Sequence, residues 1–184
     1  MKVYLLDRDS RMVKAWKKYF GAEKNIEICE GGLTHLLDIN VELNHLVLPA
    51  NSKGLLDTHI NRNTSEYCNY CYHDVDLFDR VKDYIQNKFN GEQPVGTTFV
   101  IYMNPCRNLI HAPIVSEDDK IVKPENIALV MRKILETAEK EEARDILITA
   151  LGKYQGFKKY DTIAKMMKLG YDEYLVHKKD KTDN

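Results

Sequence analysis

The chain has 184 residues, 27 basic and 28 acidic, for a net charge of −1, with 43% apolar and 30% charged side chains. That length suits one domain with a full core, and the composition excludes a disordered chain. The near balance of signs excludes a broad basic surface for nucleic acid or anionic lipid, so any anion site must be local.

In chain order, residues 3–6 form a short apolar run that stops at Asp7. Ser10 is placed to cap a helix whose apolar positions Met12, Val13, Trp16 and Phe20 recur at helical spacing, and Gly21 ends it. Residues 26–29 read as a strand, Gly31-Gly32 as a turn, and residues 45–48 as a strand broken by Pro49. From residue 75 to 89 the set Val75, Phe78, Val81, Ile85 and Phe89 predicts an amphipathic helix, with Asp74 as its cap.

Residues 97–103 and 108–112 are rich in β-formers and are joined through Pro105. Pro124 suits the first turn of a helix burying Ile127, Val130, Met131, Ile134 and Ala138. An apolar run at residues 146–150 follows, then a loop with Gly152 and Gly156, a helix capped by Asp161 and closed by Gly170, and a last strand near residues 174–176. Residues 1–178 are expected to form one domain and residues 179–184 a flexible tail. Strands alternating with long helices, apolar on both sides, predict an α/β fold: a three-layer α/β/α sandwich with a mixed, mostly parallel central sheet.

No apolar run spans a bilayer and Asp7 interrupts the N-terminus too early for a secretory signal, so a cytoplasmic protein is expected, with no membrane partner. Cys29, Cys68, Cys71 and Cys106 are read as reduced thiols. Cys68-Asn69-Tyr70-Cys71 with His59 and His73 has one zinc-like spacing but lacks the second C-x-x-C, so no metal and no cofactor are expected. The signatures of P-loop kinases, simple Rossmann dehydrogenases, serine hydrolases and zincins are missing.

Ligands of such sheets sit outside the carboxyl ends of strands, which directs attention to the loops after Leu48, Ala112 and Ala150. Pro49-Ala50-Asn51-Ser52-Lys53-Gly54 leaves a buried strand with an amide and a hydroxyl; Asn51 suits a ribose diol or a water, although the same residues also simply close a turn. Leu151-Gly152-Lys153-Tyr154-Gln155-Gly156 precedes a helix, so its backbone N–H groups and Lys153 suit a phosphate, although an ordinary solvated connection has the same composition.

Taken together, PANSKG after one strand, Gly91-Glu92-Gln93-Pro94-Val95-Gly96 before the next, LIHAP at residues 109–113 and the glycine loop after residue 150 resemble the macro domain, in a branch found in phages and bacteria. The resemblance implies binding of ADP-ribose or a related ADP-ribosyl nucleotide, attached to protein or nucleic acid, with Asn51 at the distal ribose and the backbone around Gly54 and Gly152 on the diphosphate. Hydrolysis of an ADP-ribosyl bond or phosphate ester is one implied activity; a reader or sink for the nucleotide and a purely structural scaffold are the alternatives. Departures are Gly32 in place of the acid that the family sets beside adenine, and Asn61 in place of the acid implicated in hydrolysis. If hydrolysis persists, Asp57, His59 or the substrate's own phosphate takes over that role. The implied ligand set is Asn51, Ser52, Lys53, Gly54, Ala112, Leu151, Gly152, Lys153, Tyr154 and Gly156.

Overall fold

The computed structural model describes residues 1–33, 45–54, 76–103, 107–116 and 122–182. Six strands and four helices run through them. They are β1 (Lys2–Asp7), α1 (Ser10–Phe20), β2 (Ile26–Glu30), β3 (His45–Asn51), α2 (Leu77–Phe89), β4 (Phe99–Met103), β5 (Arg107–Val115), α3 (Pro124–Lys140), β6 (Asp145–Thr149) and α4 (Tyr160–Thr182). The sheet order is β2-β1-β6-β3-β5-β4, parallel throughout except for the antiparallel edge strand β4.

Successive strand residues face opposite sides, and both sides are apolar. Val3 and Leu5 of β1, and Ile146 and Ile148 of β6, pack with α1, α3 and α4. Tyr4, Leu6 and Leu147 face the other way and pack with Leu77, Val81 and Ile85 of α2. The expected α/β/α sandwich with its mostly parallel sheet is therefore what the chain forms.

Several local expectations are corrected. Asp9, not Ser10, caps α1, its carboxylate accepting the Arg11 N–H at 3.0 Å. Pro49 does not end β3, which continues to Asn51 and sets Pro49 opposite Ala112 of β5. β3 pairs with β6 only through His45 and Leu46. In an extended strand a residue's N–H and C=O point to the same edge, and Pro49 O faces away from the ladder to accept Gln155 Nε2 at 3.0 Å. The missing donor thus falls where the two strands have already parted.

Gly170 does not close the last helix and residues 174–176 are not a strand; α4 runs on to Thr182, so residues 179–182 of the expected tail are helical. Asp161 lies in the first turn and holds α1 rather than capping α4, accepting Lys18 Nζ and Tyr19 Oη at 2.8 Å each. Tyr171 and Tyr174 continue the buried stripe of Ile163, Ala164 and Met167, and this tertiary packing overrides the strand preference of a Tyr- and Val-containing segment. A Cβ at Gly170 would fall 2.2 Å from the Ala128 carbonyl oxygen, so the glycine permits α3 and α4 to touch backbone to backbone.

Midway along β5, His111 is fully buried, stacked on Phe99 at 4.9 Å and hydrogen-bonded through Nδ1 to Gln93 Oε1 at 2.6 Å. Burial depresses its pKa to about 3.

Gly170→Ala gains about 1 kcal/mol of helix propensity but forces a methyl onto a backbone carbonyl, an overpacking penalty of about 1–3 kcal/mol. The expected net result in urea unfolding is a loss of stability; an unchanged or raised midpoint would show that the helices separate freely. For His111, the unfolded chain takes up a proton near pH 6.5 that the native state refuses until about 3. Stability should therefore fall as pH drops through that window, by up to about 1.4 kcal/mol per pH unit from this group. His111→Gln should flatten the slope by that amount, and equal slopes would refute a buried neutral imidazole.

Candidate functional site

The carboxyl ends of β1, β2, β3 and β6 share one edge of the sheet, and the loops that leave them form the candidate site. Asn51 terminates β3, and its Oδ1 accepts the Lys53 N–H at 3.2 Å while its carbonyl accepts the Gly54 N–H at 3.2 Å. Gly54 needs its φ of +65°, and a Cβ there would strike Ile85 Cδ1 at 2.8 Å. Ser52 is buried, with Oγ donating to Glu92 Oε1 at 2.9 Å and its carbonyl accepting the Gln93 N–H at 2.8 Å. The turn therefore stands on Glu92 and Gln93, between α2 and β4. His111 Nε2, buried and without a hydrogen-bond partner among the described residues, lies beneath Gly54.

The loop after β6 folds on itself as consecutive turns. The N–H groups of Lys153, Gln155, Gly156 and Phe157 go to the carbonyls of Ala150, Gly152, Lys153 and Gly152 at 3.0–3.3 Å. Those four donors are spent within the loop rather than left for a phosphate. Gly152 packs under Val122, where a Cβ would come within 2.9 Å, while Gly156 meets nothing within 4 Å and lies open. Ala112 and Leu151 are fully buried in the main core. The two loops are joined by the hydrogen bond from Gln155 Nε2 to Pro49 O at 3.0 Å. Of the other sequence candidates, Asp57, His59, Asn61 and the Cys68, Cys71 and His73 group lie outside the described residues. Among the described residues no group of acid, His or Cys side chains has a metal-binding arrangement, and no helix is long and apolar enough to cross a membrane.

Beside these loops is a cleft of about 500 Å3 whose walls include Asp7, Arg8, Gly32, Thr149, Lys153 and Tyr154. Lys153 turns into the protein and forms a short, buried ion pair with Asp7 Oδ1, where the sequence offered its charge to a ligand phosphate. Asp7 also accepts the Asp9 N–H at 2.8 Å and the Tyr154 hydroxyl at 3.4 Å. Burial first and the charge of Asp7 second push the Tyr154 hydroxyl pKa above its ordinary value, so it remains a donor. Asp9 is held well below the usual carboxylate range by the Arg11 side chain, which contacts it at 2.8 and 3.0 Å. Asp7, Arg8 and Thr149 were not found from sequence. The signal available was an acid closing a fully apolar first strand, and Thr149 ending another.

No family model and no curated protein matches the sequence. Solved structures do match the fold. The macrodomain of Mycobacterium tuberculosis DarG is 14% identical with a TM-score of 0.59, over 73% of this chain and 84% of that one. The macrodomain of Thermus aquaticus DarG is 13% identical with a TM-score of 0.57, over 73% and 85%. A variant of the Oceanobacillus iheyensis macrodomain, solved with ADPR, is 19% identical with a TM-score of 0.51, over 78% and 90%. At such identities it is the backbone path that is shared, and on that ground the chain has the macrodomain fold.

Proposed function

We propose that the chain recognises ADP-ribose or a related ADP-ribosyl nucleotide along the edge where β1, β2, β3 and β6 end. The distal ribose lies at Asn51, the diphosphate between the Gly54 turn and the loop from residue 152 to 156, and the adenosine in the cleft beside Gly32. The observation that carries this reading is the convergence of the two loops. They leave neighbouring parallel strands, part from each other just beyond Leu46 and Leu147, and meet again through Gln155 and Pro49 next to a cleft of nucleotide size. An O. iheyensis macrodomain variant of the same fold was solved with ADPR, which supports the choice of ligand.

The lining that supports the reading is not the one the resemblance alone would draw. Lys153 is neutralised by Asp7 and four N–H groups of its loop are already bonded, so the diphosphate would be met without that cation, at the Asn51 turn and beside Gln155. Losing one hydrogen bond to a charged ligand costs about 1.5–3 kcal/mol, so such a site binds more weakly than one with a dedicated cation but does not lose binding.

Calorimetric titration with ADP-ribose should give measurable heat, and the ligand should raise the melting temperature. No heat and no shift at millimolar ligand would remove the reading. Asn51→Ala should weaken binding by about one to two decades. The same variant decides about turnover: release of ADP-ribose from modified protein or nucleic acid that wild type performs and Asn51→Ala does not would add hydrolysis to recognition, and equal trace release in both would leave binding alone.

A further inference from the structure

Two groups in the cleft are left unexplained by ADP-ribose itself. Thr149 is only 4% exposed and lines the cleft, yet its buried Oγ1 has no hydrogen-bond partner among the described residues. A buried hydroxyl in that condition carries a desolvation penalty that a ligand oxygen would relieve. Arg8 is exposed at the cleft mouth, and its Nε–Nη2 edge lies against Gly32: a Cβ on that glycine would fall 2.4 Å from Nη2 and 2.5 Å from Nε. The guanidinium thus occupies the place into which any larger residue at position 32 would project.

The charges around Arg8 do not balance. Asp7 is taken by Lys153, and Asp9 by Arg11 through two hydrogen bonds at 3.0 and 2.8 Å. Both cleft carboxylates are therefore committed, and among the described residues Arg8 has no ion-pair partner. A neutral base edge or ribose hydroxyl lying over it would leave that charge uncompensated while removing water from it.

Resting on the reading that the adenosine half lies in this cleft, we infer that Arg8 and Thr149 form a subsite for a phosphate carried on that half, so that the preferred ligand is a phosphorylated ADP-ribose, with ADP-ribose 2′-phosphate as its type. The planar guanidinium fork matches two phosphate oxygens, and the Thr149 hydroxyl can donate to a third. In dinucleotide sites generally, a carboxylate selects the free 2′-hydroxyl and an arginine accommodates the 2′-phosphate. In this cleft position 32 is a glycine, and the Arg8 guanidinium lies where a side chain there would project.

The full chain would be titrated calorimetrically with ADP-ribose, with ADP-ribose 2′-phosphate and with inorganic phosphate, in wild type, Arg8→Ala and Thr149→Val. The expected result is about 10- to 100-fold tighter binding of the 2′-phosphate than of ADP-ribose by wild type, a ratio that shrinks with added salt. In Arg8→Ala the ratio should fall to near one, and in Thr149→Val it should fall by less. Inorganic phosphate should be a far weaker ligand than either nucleotide; if it binds as tightly as the 2′-phosphate compound, the subsite is not part of a nucleotide site and the inference fails. Equal binding of the two nucleotides by wild type, or a preference undiminished in Arg8→Ala, overturns the subsite but leaves nucleotide recognition standing. Binding of neither nucleotide removes the recognition reading itself.

Discussion

The buried ion pair between Asp7 and Lys153 is the contact around which this edge of the sheet is organised. Asp7 closes β1 with a side chain entirely out of solvent, and Lys153 reaches it from the loop after β6, 146 residues away in sequence. Taking both charges out of water costs several kcal/mol per ion, and Coulomb attraction offsets that only when the remaining bonding capacity is used. Here it is: the carboxylate also accepts the Asp9 N–H and faces the Tyr154 hydroxyl. The pair adds little net stability by such reckoning, but it specifies geometry. It ties the wall of the cleft to the strand beside it, and it fixes which cation turns inward and which remains outside.

That choice governs the chemistry of the site. A lysine in a glycine loop is the natural partner for a diphosphate, yet Lys153 is 8% exposed and its ammonium is compensated. The positive charge available to a ligand stands instead at the opposite wall, on Arg8. The same economy operates at the other loop, where Asn51 uses its side-chain oxygen to close its own turn and Ser52 is spent on Glu92. The turn is thereby rigid without a ligand, and a rigid loop loses less conformational entropy on binding than one that must be ordered.

Much of the fold could be read from periodicity because burial imposes it. α1, α2 and α3 each present one apolar stripe, and Pro124 stands in the first turn where its missing donor has no helical partner to lose. Pro49 and Gly170 misled for one shared reason. Each is a residue that ordinarily ends an element, and each is tolerated because of something distant: β6 has parted from β3 at Pro49, and Ala128 of α3 lies against Gly170. The site was legible to the same extent. Asn51 to Gly54 and Gly152 to Gly156 could be placed together because both follow parallel strands. The Asp7–Lys153 pair could not, since no local pattern says which of the chain's charges will meet across the sheet.

The position of β1 explains why the unanticipated residues collect at one end. β1 lies between β2 and β6, so its last residues emerge within the edge where the strands' carboxyl ends collect rather than at its margin. The chain must turn there at once into α1, whose cap Asp9 and first-turn residue Arg11 bind one another. Asp7, Arg8 and Asp9 are consecutive, and in so tight a turn their side chains cannot all point the same way. Asp7 goes down to Lys153 and Asp9 goes to the helix it caps, so Arg8 is left over Gly32. A larger residue at position 32 would collide with the guanidinium, and a smaller residue at position 8 would take the charge from the mouth of the cleft. The glycine and the arginine are therefore one feature, and the electrostatic character of this end of the site follows from how β1 hands the chain to α1.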